Sequence, residues 1–222
     1  MLCIPIIARN TERAINKVID AEKHADISEV RLDLMDSFEL DQLLEAARKP
    51  VIVTYRSKGE GGKGLADPSQ VADYLISAAG QNAEYIDLEL SMPSEWRNKV
   101  IAGKGNSQII VSTHIFDCTP PEKELYEFLD KSIDAGGDIV KIVTMANTLD
   151  DNLRMLGLVS EAQRKEIKII AFCMGAKGRM SRVFSLLMGG YLTFTSLETG
   201  EESAPGQIPV KEMKKLMEYF SG

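Results

Sequence analysis

Gly136 to Ala146 read GGDIVKIVTMA, a short β-branched run entered through a Gly-Gly-Asp turn. That is the pattern of a buried strand. Lys141 stands in its middle, between Val140 and Ile142. Lysine is almost never fully buried without a partner or a purpose, so the two sides of this strand must differ: one packs against hydrocarbon, the other presents an amine.

Seven further runs of the same kind are spread along the chain: CIPIIA (Cys3–Ala8), EVRLDL (Glu29–Leu34), VIVTYR (Val51–Arg56), YIDLEL (Tyr85–Leu90), QIIVSTH (Gln108–His114), KIIAFCMG (Lys168–Gly175) and YLTFTSL (Tyr191–Leu197). Stretches such as TERAINKVIDAEKH, DPSQVADYLISAAG, PPEKELYEFLDKSIDAG and TLDDNLRMLGLVSEAQRKE lie between them, with apolar residues at three- and four-residue spacing, and PVKEMKKLMEYF closes the chain. That spacing predicts helices. Asp67-Pro68 supplies an N-cap followed by Pro at the first helical position. Eight strand–helix units predict an α/β fold, a (β/α)8 TIM barrel formed by residues 1–222 as a single domain. A doubly wound sheet rarely needs eight such units, and no G-x-G-x-x-G follows the first strand.

Composition narrows the partners. The 222 residues are 44% hydrophobic and 27% charged, with a formal net charge of −7. An acidic chain is a poor match for nucleic acid or an anionic membrane, so an anionic ligand would need a local cluster of arginines. No apolar run approaches the ~20 residues of a membrane span, and MLCIPIIARN is too short for a secretory leader. The odd cysteine count, Cys3, Cys118 and Cys173, has no metal-ligand spacing and fits a reduced, cytoplasmic protein.

Several strands alternate charge with hydrocarbon. Glu29, Arg31 and Asp33 oppose Val30, Leu32 and Leu34, and Asp87 and Glu89 oppose Ile86, Leu88 and Leu90. Thr54 and Arg56, Ser112 and His114, and Lys141 follow the same alternation. Successive strand residues point to opposite faces. With helices packed on the apolar face, the charged face must line the barrel. Either Glu29, Asp33, Asp87 and Glu89 simply neutralise Arg31, Arg56 and Lys141, or the lining holds a polar ligand at the C-terminal mouth.

Lys141 has two readings. Crowded by other cations, its amine would have a lowered pKa and could attack a carbonyl; alternatively it is an ion-pair partner of a lining carboxylate. His114, at the end of the fifth strand, favours the first, because imidazole exchanges protons near neutral pH. In the KGEGGKG loop, Glu60 either reaches the mouth or sits in a solvated turn. Arg182 either grips a carboxylate by paired hydrogen bonds or lies on the surface. Ser203 and Gln207, in EESAPGQIP, suit a hydroxylated ligand.

Together EVRLD, TYRSKGEGG, YIDLEL, VSTH, GGDIVKI, MGAKGRMSR and SAPGQI, in this order and over nearly the whole chain, resemble type I 3-dehydroquinate dehydratase, the Schiff-base class of the shikimate pathway. The resemblance implies conversion of 3-dehydroquinate to 3-dehydroshikimate with no metal and no cofactor. It makes Lys141 the imine-forming residue, His114 the general acid–base and Glu60 the acid that orients it. Arg182 would bind the substrate carboxylate, and Glu29, Arg31, Arg56, Ser203 and Gln207 would hold hydroxyls and carboxylate, with Ser28 beside them. A homodimer is implied as well. One departure stands out: the family often reads Asn-His-Asp where this chain has Thr113-His114-Ile115. The rivals are another imine-forming barrel enzyme, such as a class I aldolase, and a non-catalytic barrel that binds a polyhydroxy acid.

Overall fold

The computed structural model describes residues 1–221; Gly222, the last residue of the expected domain, lies outside the described residues. The chain alternates strand and helix: β1 (Leu2–Ile6), α1 (Thr11–Ala21), β2 (Ile27–Arg31), α2 (Leu40–Ala46), β3 (Val51–Thr54), α3 (Pro68–Gly80), β4 (Tyr85–Glu89), α4 (Ser94–Ala102), β5 (Gln108–His114), α5 (Glu122–Asp134), β6 (Ile139–Met145), α6 (Asp150–Arg164), β7 (Lys168–Met174), α7 (Arg179–Leu187), β8 (Thr193–Ser196), a two-residue β9 (Ile208–Pro209) and α8 (Val210–Ser221). Local signals set the helix starts. Asn10 accepts from Arg13 N to cap α1, and Asp67 accepts from Ser69 N and Gln70 N to cap α3, with Pro68 at its first position.

All strands run parallel, in the order β7-β6-β5-β4-β3-β2-β1-β8-β9. This is the expected TIM-barrel architecture, with one detail the strand count does not convey. The ladder is not continuous between β7 and β8. Tyr191 N donates to Ile169 O at 2.7 Å, and above that bond the Phe172 and Phe194 rings meet at 6.1 Å.

Alternation sorts the side chains into two cores. Val30, Val53, Ile86, Leu88, Ile109 and Val111 face outward, where helical residues such as Val18, Leu43, Leu75 and Val100 cover them. Cys3, Ile27, Ile52, Ile110, Ile139 and Ile170 face inward and fill the base of the barrel. Burying one such aliphatic side chain contributes ~1.5–3 kcal/mol. Above this largely apolar base, the charged side chains gather at the C-terminal end of the strands.

Among the strands that end earlier than their patterns predict, β2 and β3 bear on the site. β2 stops at Arg31 and the chain turns through a 3-10 segment, Leu32–Leu34, so Asp33 does not continue the charged face but folds back onto Arg31. β3 stops at Thr54, and Arg56 projects into the mouth from the following loop. Among the described residues no helix is long and apolar enough to cross a membrane.

Candidate active site

A cavity of about 200 Å³ opens at the C-terminal end of the strands. Glu29, Arg31, Arg56, Glu60, His114, Lys141, Arg182, Ser203 and Gln207 all line it. Ser28 does not. It shares the outward parity of Val30, and its buried hydroxyl has no hydrogen-bond partner. The expectation that Ser28 sits beside the ligand group is therefore corrected, because a one-residue step along a strand reverses the face.

Lys141 is buried, with Nζ 2.8 Å from Asp87 Oδ2 and 3.2 Å from Glu29 Oε1. The face of Phe194 lies 4.4 Å away, near enough for a cation–π contribution. Of the two surroundings that its position allowed, the ion pair with lining carboxylates is the one formed: its hydrogen-bond partners are Asp87 and Glu29. Asp87 binds on its other side to Arg56, NH2 to Oδ1 at 2.8 Å, and accepts from Ser112 Oγ at 2.6 Å. Burial alone would push Asp87 upward, but the charges of Arg56 and Lys141 hold it well below the usual carboxylate range. Arg56 also reaches Glu89 at 3.0 Å, and Arg31 forms two 2.8 Å bonds to Asp33. The polar lining neutralises itself at these positions, as one reading of the alternation required.

His114 pairs in register with Val143 on β6, while Lys141 pairs with Ser112 on β5. The backbone of His114 therefore stands two residues, ~6.6 Å of strand rise, nearer the mouth than that of Lys141. Its Nδ1 is 2.9 Å from Glu60 Oε2, which also accepts from the His114 backbone N–H at 3.1 Å. An oxygen already accepting from that amide favours the tautomer in which Nδ1 donates, leaving Nε2 free to accept. Burial, with Arg56 and Lys141 nearby, holds the imidazole well below its ordinary pKa. Glu60 moves the opposite way: burial pushes it up to about 7, against the opposing pull of Arg56. The two expected acid–base residues thus form one hydrogen-bonded dyad.

Backbone geometry in the loop makes that dyad possible. Gly61, at φ +78°, lies so close to Phe116 that a Cβ there would come within 2.2 Å of the ring. Phe116 in turn stacks on His114, centroids 6.5 Å apart. Phe116 was not legible in the sequence, since only the folded loop brings it over the imidazole. Of the two altered neighbours of His114, Thr113 is buried with an unpartnered hydroxyl, and Ile115 donates its N–H to Val143 O.

Arg182 differs from the other cations. It is fully buried near the start of α7, its Cζ 4.4 Å over the Phe172 ring. Its protein partners are two carbonyls, Phe194 O at 3.4 Å and Pro205 O at 3.2 Å, and Nε has none. With no carboxylate to offset it, burial lowers its pKa to about 9. A buried guanidinium that lines a cavity with only carbonyl partners of its own is suited to bind an anion there. In the turn that holds Pro205, Gln207 Oε1 accepts from Ser203 N at 2.8 Å, and its Nε2 donates to Ser203 Oγ at 2.9 Å. Gly206, at φ +83°, lets this turn pass against Gly175, where a Cβ would meet a backbone oxygen at 2.3 Å. Among the described residues no group of three or more His, Cys, Asp or Glu side chains is placed to hold a metal ion.

Comparisons with known proteins give the family and the fold. The family model described as Type I 3-dehydroquinase matches residues 2–222. A 3-dehydroquinate dehydratase of Methanococcus maripaludis is 36% identical over 99% of this chain and 100% of its own length. One from Methanocaldococcus jannaschii is 32% identical over 97% of each. A crystal structure of type I 3-dehydroquinate dehydratase from Clostridium difficile, carrying covalently modified comenic acid, superposes with a TM-score of 0.90 at 28% identity, covering 99% of this chain and 91% of that one. At 12% identity and a TM-score of 0.64, 3-hexulose-6-phosphate synthase from Salmonella typhimurium shares the barrel fold alone. With relatives aligned from end to end and the same barrel in three dimensions, this chain belongs to the type I 3-dehydroquinase family.

Proposed function

We propose that this chain converts 3-dehydroquinate to 3-dehydroshikimate and water through a Schiff base on Lys141. The observation that carries the reading is the convergence of Lys141 and His114, from adjacent strands, on one cavity that also holds the unpaired Arg182.

Arg182 takes the substrate carboxylate through two N–H donors. Arg31, Arg56, Glu29, Ser203 and Gln207 orient the rest of the ring by hydrogen bonds. Lys141 gives up a proton, adds to the ketone, and loss of water yields an iminium. The iminium draws electrons from the neighbouring C–H bond, and Nε2 of His114 accepts that proton as the enamine forms. The enamine then expels the β-hydroxyl, which leaves as water with the proton that His114 returns. Hydrolysis of the imine releases the enone and restores Lys141. Glu60 stabilises the imidazolium at each stage through Nδ1.

Incubation with 3-dehydroquinate is expected to give the absorbance of a conjugated enone. Borohydride added during turnover should leave a mass adduct on Lys141. Turnover without an adduct would sink the imine route, and the absence of both would sink the activity. The chain is further expected to act as a homodimer, which sedimentation equilibrium would test, and to work in the cytoplasm, a compartment suited to the free thiols of Cys3, Cys118 and Cys173.

A further inference from the structure

Glu60 uses its two oxygens on opposite sides. Oε2 faces inward to the imidazole and backbone N–H of His114, while Oε1 accepts from Ser91 Oγ at 2.6 Å. Ser91 belongs to the turn after β4, and it also lines a second cavity of about 180 Å³ behind the dyad, together with Ser57, Asp87, Glu89 and apolar residues of α3. It is exposed and makes no contribution to the apolar core. We propose that Ser91 is a positioning residue for the reaction, its hydroxyl fixing the outer oxygen of Glu60 so that the inner one is aimed at His114. This rests on the dehydratase reading for its catalytic consequence, though not for its geometry.

The groups facing Glu60 make one neutral donor matter. Arg56, following β3, is 3.5 Å from Oε2. Asp87 and Glu89 of β4 repel the carboxylate, and His114 of β5 is its partner. Glu29 and Arg31 of β2, Lys141 of β6 and Arg182 of α7 line the same cavity. Arg56 divides its donors among Asp87, Glu89 and Ser112 and approaches Glu60 only at that longer distance. Ser91 is thus the one short side-chain donor given to Oε1. A donor to the ionised carboxylate favours the charged form and restricts its rotation.

The test compares Ser91→Ala with Ser91→Thr, which keeps the hydroxyl. Two readouts are used: the pH dependence of kcat/KM for 3-dehydroquinate, and the 15N imidazole titration of His114 in the ligand-free full chain. Ser91→Ala should raise the midpoint of the dyad by about one pH unit, so that activity falls several-fold on the acid side and returns towards the wild-type plateau on the alkaline side. Ser91→Thr should restore the midpoint. An unchanged His114 titration in Ser91→Ala, or an equal loss of activity at every pH that Thr does not rescue, would overturn the role of Ser91. If the wild type fails to turn over 3-dehydroquinate, the activity is wrong, while the titration still decides the inference.

Discussion

The Nζ of Lys141 on β6 and the Oδ2 of Asp87 on β4 lie 2.8 Å apart, reaching across the intervening strand β5. The same carboxylate binds Arg56, so one buried anion bridges two buried cations, whose second carboxylate partners are Glu29 and Glu89. Asp87→Asn keeps the volume and removes the charge. Breaking a buried pair from one side costs about 3–5 kcal/mol, and urea unfolding at pH 7 should show a loss of that order. The fold holds Asp87 below its unfolded pKa, so its contribution is present at neutral pH and disappears as pH falls into the acid range. The variant should lose less stability on acidification than the wild type does. An equal slope would mean that Asp87 is not the anion being protonated.

Lys141→Ala should abolish both turnover and the borohydride adduct, because no other amine lines the cavity among the described residues. His114→Ala should behave differently: elimination slows by about 10²–10⁴-fold, while the adduct still forms and accumulates. Stopped-flow absorbance combined with intact-mass measurement separates the two. Wild-type turnover in His114→Ala would remove the imidazole from the mechanism.

Glu60 carries opposite pH signatures in activity and in stability. Its carboxylate must be ionised to support imidazolium, so kcat/KM should climb as pH rises through about 7. For stability, a carboxyl raised from 4.5 to about 7 keeps its proton in the folded chain after the unfolded chain has released it. Its contribution therefore decreases between those two values as pH rises. Glu60→Gln should remove both dependences, and thermal melts across pH 4–8 alongside rate profiles would show whether it does.

Arg182→Met tests the anion site from the other direction. Removing one member of a buried charge pair typically costs 2–5 kcal/mol of binding, so KM should rise by about 30-fold or more. Stability should hold steady or increase, because the free protein then buries no unpaired guanidinium. A variant with unchanged KM would show that the substrate carboxylate binds elsewhere.

Much of this was readable from residue order. Period-two alternation around Glu29, Asp87 and Lys141 depends only on strand geometry, and it placed these charges inside the barrel before any contact was known. The family resemblance, not the alternation, put Ser28 beside the ligand, whereas the alternation places it with Val30 on the outward face, where the structure has it. The alternation itself misled at Asp33, where the strand ended before the pattern did. Phe116 and Ser91 gave no signal, because a loop residue's neighbours depend on how distant turns fold back upon one another.

Sequence alone determined the strand–helix repeat, the polar lining and the chemistry its side chains can perform, since each follows from local periodicity and functional groups. Tertiary structure decided which charges are matched and which are not. Lys141 met carboxylates, one of the two surroundings its position allowed, and Arg182 met none. Ion pairing inside a barrel depends on ångström-scale distances between strands far apart in the chain, and those exist only once the sheet has curled.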